Sequence, residues 1–291
     1  RLNDKGIPVS VEIAQRRSAN KMIEEFMLLA NETVAEHFYW MEVPFLYRVH
    51  EKPETEKLEK LKIFLRSFGI MLRGNRSSIH PRAISSILEQ VKGKTCENVV
   101  SSVTLRSMQK AYYSTSCEGH FGLALKYYCH FTSPIRRYPD LMIHRIIKEV
   151  LHHGVDGKLT KHFAKAAAEA ADISSAAERK AIEAEREVEK MKKAEYMAGH
   201  IGEEFDGVIS GVTAFGMFIE LENGVEGLVH ISSLMDDYYE FYEDRYALLG
   251  SHTRKVYRLG DPVRIEVLQV NIADRNIDFI MAGENDAVRD R

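Results

Sequence analysis

The spacing of apolar residues changes character once along this chain, at Ile201-Gly202, and that change constrains what the chain can fold into. From Lys158 to His200 the chain is rich in Ala, Glu and Lys. Glutamates and lysines recur four apart, as at Glu189 and Lys193, the spacing of a solvent-washed helix. Ser175-Ala176-Ala177-Glu178 has the spacing of a capping box, which predicts two consecutive helices, the second from Ala176 to about Met197. No sustained apolar heptad is present, so a coiled coil is the weaker reading. After Gly202 the period shortens to that of strands, expected at 205–209, 215–221, 225–230, 263–267 and 276–280. Asn223-Gly224 supplies a tight hairpin turn, and an acidic, tyrosine-rich loop runs from Ser232 to about Lys255. Five strands with one insertion have the size of a small barrel.

Upstream, Asp4-Lys5-Gly6 reads as a turn into a strand carrying Val9, Val11 and Ile13. Ser18 is placed to cap a helix whose apolar stripe is Ile23, Phe26, Met27, Ala30 and Val34. Another face of that helix carries Glu24, Glu25, Leu28 and Asn31, and Glu24 and Asn31, two turns apart, point the same way. Taken alone, the two glutamates read as solvated surface charge. A strand over 45–50 follows, then an amphipathic helix after Pro53 that ends at Gly69, a helix from Pro81 that stops at Gly93, and a third over 97–110 with Val99, Val103, Leu105 and Met108 inward. The first region, 1–197, is therefore helix-rich, the second, 198–283, is the barrel, and 284–291 is a tail. The fold class is α+β.

Between these helices lies His130-Phe131-Thr132-Ser133-Pro134-Ile135-Arg136-Arg137-Tyr138-Pro139-Asp140-Leu141. Pro134 forbids a helix just before it and Pro139 suits the first turn of one, so the two arginines occupy a short non-helical segment at a helix entrance. Two guanidinium forks, the hydroxyls of Thr132 and Ser133 and the unpaired N–H groups of a helix start would together hold a phosphate. The same residues would equally serve as a turn whose arginines pair with surface carboxylates. A net charge of −3 over 291 residues argues against a purely electrostatic nucleic-acid binder, so any such contact must be a local patch. Cys96, Cys117 and Cys129 lack metal-ligand spacing and suit reduced thiols in a cytoplasmic protein. No run reaches membrane-spanning length and no signal peptide is visible. The chain opens in mid-pattern at Arg1, as a piece of a longer polypeptide would.

The string HFTSPIRRYPDL, with His144-Arg145 after it, resembles the signature near the end of the catalytic domain of the ribonuclease II/ribonuclease R (RNB) family. Gly207, Phe215-Gly216-Met217-Phe218 and Gly227-Leu228-Val229-His230-Ile231-Ser232 resemble the OB-fold RNA-binding domain named for a protein of the small ribosomal subunit. The resemblance implies a 3′-to-5′ exoribonuclease that threads single-stranded RNA and releases nucleoside monophosphates with magnesium. It makes Arg136 catalytic and, through the segment IEEFMLLAN, assigns one of Glu24 and Glu25 to holding the RNA 3′ end. Asn31, Thr132, Ser133, Arg137 and Tyr138 become RNA contacts. Phe215, Phe218, His230 and Arg275 become a barrel platform, with Asn271 standing where the family pattern has an aspartate. Phe215 and Phe218 are three apart in an expected strand, so only one is expected to face inward. The family's metal-binding aspartates belong upstream of the matched segment, and Asp236 and Asp237 are no substitute because they lie in the barrel's loop. The segment is therefore expected to be a monomer that binds single-stranded RNA, touches no membrane and hydrolyses little by itself. A non-catalytic RNA-binding module and a protein-binding scaffold are the other classes this sequence allows.

Overall fold

The computed structural model describes residues 1–72, 79–94, 96–243 and 246–283; the expected tail at 284–291 lies outside them. Helix α1 spans Ser18–Trp40, and its cap is Arg17, whose N–H donates to Asn20 Oδ1 at 3.1 Å, so Ser18 is the first helical residue and not the cap. The buried line of α1 is Asn31, Ala35 and Phe38, whereas Ile23 and Phe26 of the expected stripe are exposed. The expected strand at 9–13 does not form. Leu2 and Pro8 make an isolated bridge and the Val9 N–H donates to the Arg1 carbonyl at 2.9 Å, but the pairing goes no further and Val9 and Ile13 stand exposed.

Strand β1 (Tyr47–Val49) pairs antiparallel with β2 (Tyr112–Ser114). Between them lie α2 (Thr55–Ser67), α3 (Pro81–Val91) and α4 (Glu97–Ser107). Helix α3 starts at its proline as expected. Helix α4 stops earlier than the spacing implied, and Leu105, expected inward, is 75% exposed. Helix α5 (Tyr138–His153) carries Pro139 in its first turn, where no N–H is needed.

Helix α6 is a single helix of 41 residues, Gly157–Met197, and not two. The residues that spell a capping box bond elsewhere. Ser175 Oγ accepts the N–H of Tyr113 at 2.9 Å, and Glu178 Oε2 takes Arg48 Nη1 at 2.6 Å. Both side chains are thus drawn onto the β1–β2 ribbon, and nothing stops the backbone from continuing as helix.

Strands β3 (Glu204–Thr213), β4 (Gly216–Leu221), β5 (Glu226–His230), β9 (Pro262–Asn271) and β10 (Asn276–Met281) close into a ring in the order β10-β5-β4-β3-β9, with β10 parallel to β5 and every other pair antiparallel. Ile209, Met217, Ile219, Val229 and Val267 fill its interior with no exposure. The segment expected as a loop is largely a second sheet, three antiparallel strands β6 (Tyr239–Tyr242), β7 (Ala247–Gly250) and β8 (Val256–Arg258). Its Tyr239, Leu248 and Tyr257 are buried, so the acidic residues of this stretch decorate a folded unit.

The core has two parts. One lies beneath the arginine segment and gathers Ala35, Phe38, Phe45, Cys129, Ile143 and Phe163. The other is shared between α2–α4 and the barrel: Phe64 meets Tyr246 edge-on at 5.3 Å between centroids, and Val99 packs under Gly260.

Candidate functional site

The arginine segment is held by one buried carboxylate. Asp140, in the first turn of α5 and without exposure, accepts the Ser133 N–H through Oδ1 at 2.8 Å. It also takes both prongs of Arg137, Nε to Oδ2 at 2.9 Å and Nη2 to Oδ1 at 2.8 Å. The Ser133 carbonyl in turn accepts the N–H groups of Arg136 and Arg137 at 3.3 and 3.1 Å, which closes the turn. A carboxylate taken out of water needs these donors, and the two-pronged contact fixes the orientation of the Arg137 fork. Arg137, expected to contact RNA, spends Nε and one Nη2 N–H on holding this turn. Arg136 is exposed and has no ion-pair partner among the described residues. Thr132 and Ser133 are half-buried beside it, Ile135 is fully exposed at the crest, and Tyr138 is exposed with the Arg145 guanidinium 5.9 Å from its ring centre.

Helix α1 fixes the other side of the segment. Asn31, 3% exposed, accepts the Phe131 N–H at Oδ1 (2.9 Å) and donates through Nδ2 to the Tyr128 hydroxyl (3.3 Å), while its carbonyl faces the Cys129 thiol at 3.2 Å. From α5, His144 bonds the Phe131 carbonyl through Nε2 at 3.0 Å and stacks on the Phe131 ring, 4.4 Å away and 9° from parallel. Asn31, expected as an RNA contact, therefore spends its amide on holding the motif in place. Two turns earlier, Glu24 is paired with Arg16, with a 3.1 Å bond from Nε, whereas Glu25 is exposed. The structure thus gives the two glutamates different surroundings.

Behind the segment lies a ring network. His130 Nδ1 meets the Tyr113 hydroxyl at 2.9 Å, and Arg48 stacks 4.6 Å from the Tyr113 ring centre while paired with Glu178. Burial, with the charges of Arg137 and Arg48 added, pushes the His130 pKa down to about 2. Burial also lowers His120 to about 4, helped by His50 stacked 5.1 Å away. Both rings are neutral at physiological pH and serve as packing and hydrogen-bonding parts.

On the barrel, neither phenylalanine is core. Phe215 precedes β4 and is 48% exposed, Phe218 is partly exposed, and their rings meet edge-on at 6.0 Å. The inward residue is Met217. The expected parity fails because the chain turns at Gly216, whose φ of +152° and contact with the Val229 carbonyl leave no space for a side chain. His230 pairs in register with Gly216 and is exposed next to Phe215, its Nδ1 bonded to Ser232. Arg275, in the left-handed region at φ +60°, makes an ion pair with Glu187 of α6. Asn271 braces the same turn, its amide nitrogen 2.6 Å from Asp274 Oδ2. A carboxylate does lie near His230, from a residue the sequence reading did not single out. Asp278 on β10 has its pKa raised by burial and drawn back by His230.

Magnesium does not fit the described residues. Among the described residues no three of His, Cys, Asp and Glu converge as cation ligands. The aspartate of the arginine segment and the pair in the barrel's inserted unit are also engaged: Asp140 by Arg137, Asp236 by Lys255 and Tyr239, and Asp237 by Thr253 and His252. No described helix is long and apolar enough to cross a membrane.

Comparison with known proteins bears on this geometry. Residues 1–153 match the family model described as RNB domain, and residues 200–281 that described as S1 RNA binding domain. Over 278 residues the chain is 46% identical to ribonuclease R 1 of Lactococcus lactis, covering 96% of this chain and 34% of that one. Over 290 residues it is 43% identical to ribonuclease R of Thermotoga maritima, covering 98% and 40%. The chain thus spans two fifths or less of the length of these curated relatives. Mycoplasma genitalium RNase R, solved in complex with ribose methylated single-stranded RNA, matches with a TM-score of 0.89 at 28% identity, covering 96% of this chain and 44% of that one.

Proposed function

Because the chain belongs to the RNB family, we propose that it is the C-terminal, RNA-handling part of a 3′-to-5′ exoribonuclease that degrades single-stranded RNA to nucleoside monophosphates in the cytoplasm. The observation that carries this reading is the division of labour between adjacent arginines. Arg137 is locked on Asp140 and holds the turn, so Arg136 is presented as a free fork beside a helix start. Placed there, it would neutralise charge that grows on a scissile phosphate during displacement, a role in which a preorganised donor is worth most. Glu25, exposed on α1, is the better placed of the two glutamates to meet an RNA 3′ end. The barrel is read as an OB-fold whose Phe215, Phe218 and His230 stack on bases of any sequence. Magnesium, if the reaction uses it, needs hard oxygen ligands beyond those gathered here. We place those carboxylates in the part of the longer relatives that this chain does not span.

Turnover of oligoadenylate by a full-length enzyme carrying Arg136→Ala tests the central claim. Loss of one preorganised donor should lower kcat by roughly 10²- to 10³-fold with a much smaller change in RNA affinity. An equal loss of affinity and turnover would move Arg136 from chemistry to binding. The exposed barrel platform favours a second reading, an RNA-binding module without hydrolysis, and an enzyme that binds oligoadenylate at full strength yet never shortens it would establish that instead.

A further inference from the structure

The face of α5 that leads away from the arginine segment carries a second group of cations and histidines. Along α5, Met142, Arg145, Lys148 with Glu149, and His152 recur at helical spacing and so share one face. His162, Phe163 and Ala166 of α6 stand across from them, and together they line an open cleft of about 490 Å³. That volume is within the roughly 300–1,000 Å³ common for small-ligand clefts. Its floor is apolar: Met142 and Phe163 are buried and Ala166 half-buried. Its rim is almost all nitrogen, from Arg145, Lys148, His152, His153 and His162, with Arg145 and Lys148 exposed. The one carboxylate among the lining residues is Glu149, and its Oε2 is taken by His153 Nδ1 at 2.6 Å. A cleft with an apolar floor and the cations Arg145 and Lys148 on its rim suits a phosphate attached to a planar ring.

The cleft is also continuous with the arginine segment. Arg145 lies with its guanidinium over the Tyr138 ring, and Tyr138 follows Arg136 by two residues. From Tyr138 to His152 is about 20 Å along α5 at 1.5 Å per residue, the length of several nucleotides. We infer that the α5–α6 cleft is an accessory nucleotide-binding subsite, with Arg145 and Lys148 taking phosphate and Met142 and Phe163 supporting the base. The ligand is either a unit of the RNA strand or a free nucleoside monophosphate. The inference rests on the RNA-handling reading and extends it to a surface far from the barrel.

The test titrates the chain with fluorescein-labelled oligouridylate between 50 and 300 mM salt, comparing the parent with R145A/K148A and with Phe215→Ala. Two fewer phosphate contacts should lower the log–log salt slope by about 1.4, at about 0.7 per phosphate on a single strand, and weaken binding at low salt by about tenfold or more. Phe215→Ala should weaken binding at an unchanged slope, because stacking releases no counterions. Both altered cations are exposed, so the melting temperature should hold and mark the effect as local. Calorimetric titration with adenosine monophosphate separates the two sources. Saturable binding by the parent that the double variant lacks assigns the cleft to free nucleotide, and loss of salt slope without it assigns the cleft to the strand. If the double variant keeps the parental slope and the parent shows no monophosphate binding, while Phe215→Ala still weakens RNA, the inference fails and the RNA reading survives. If the parent binds no RNA, both fall.

Discussion

Single residues decide which of two similar groups is free to act. Nothing in the string Arg136-Arg137 says which arginine is committed; that is settled by Asp140, three residues after the second, buried where only a nearby fork can reach it. The same kind of contact explains Asn31, whose spacing from Glu24 was legible but whose amide turned out to serve Phe131 and Tyr128 across about a hundred residues of sequence. Half-buried histidines behind the segment add a pH dependence whose sign follows from their desolvation. An ordinary histidine takes a proton near pH 6.5, yet His130 resists until about 2 and His120 until about 4. Between those values the unfolded chain binds more protons than the folded one. Stability from these groups is therefore fully present above about 6.5 and is lost as the pH falls toward the folded values. Going from pH 7 to pH 5 should cost roughly 2 kcal/mol per histidine, read as a lower urea midpoint. A His130→Gln variant should lose about one proton's worth of that slope, and an unchanged slope would show that His130 titrates normally.

At the scale of elements, local signals worked where the chain answers only to itself. Pro81, Gly93 and the Asn223-Gly224 turn mark boundaries that the structure keeps, because proline and glycine act through their own backbone angles. Signals that depend on a side chain choosing a local partner were less dependable. Ser175 had the spacing to start a helix, but a distant N–H on Tyr113 offered it a buried bond, and α6 runs through. Replacing Ser175 with Ala should leave that N–H unsatisfied, at about 1–3 kcal/mol, with no gain from an uncapped helix start. Circular dichroism should show unchanged helicity and an earlier melt; lower helicity would mean that a cap had been lost after all. The stretch at 232–258 hid its strands for a related reason. Its buried Tyr239, Leu248 and Tyr257 are spaced among acidic residues whose partners, such as Lys255 for Asp236 and Thr253 for Asp237, lie later in the same unit.

For the whole molecule, composition and period located two textures but not how they join. The change at Ile201-Gly202 invites a picture of separable halves, yet Phe64, Val99 and Leu61 belong to one buried cluster with Ile209, Met217 and Tyr239. Removing the barrel would strip one side of α2–α4. Heating the chain should accordingly give one calorimetric transition with matching van't Hoff and calorimetric enthalpies, and two resolved peaks would mean that the halves melt independently. What links the ends of the molecule is α6. Its first half packs on α5 and, through Ser175 and Glu178, on the β1–β2 ribbon, its last turns meet the barrel, and the span from Arg179 to Arg186 is open to water on every side. At about 1.5 Å per residue its 41 residues reach about 60 Å, with Glu187 near the far end holding Arg275 of the barrel. A continuous helix of that kind is a ruler. Under the proposed function, the distance it spans would set how far a strand must extend to touch platform and arginine at once, and with it the length at which a shrinking RNA would let go of the barrel. Seven residues inserted within that open span would lengthen it by about 10 Å and pull the barrel off the core it shares with α2–α4, so the melting temperature should fall sharply; an unchanged melt would mean that the added turns loop out and that the helix spaces nothing.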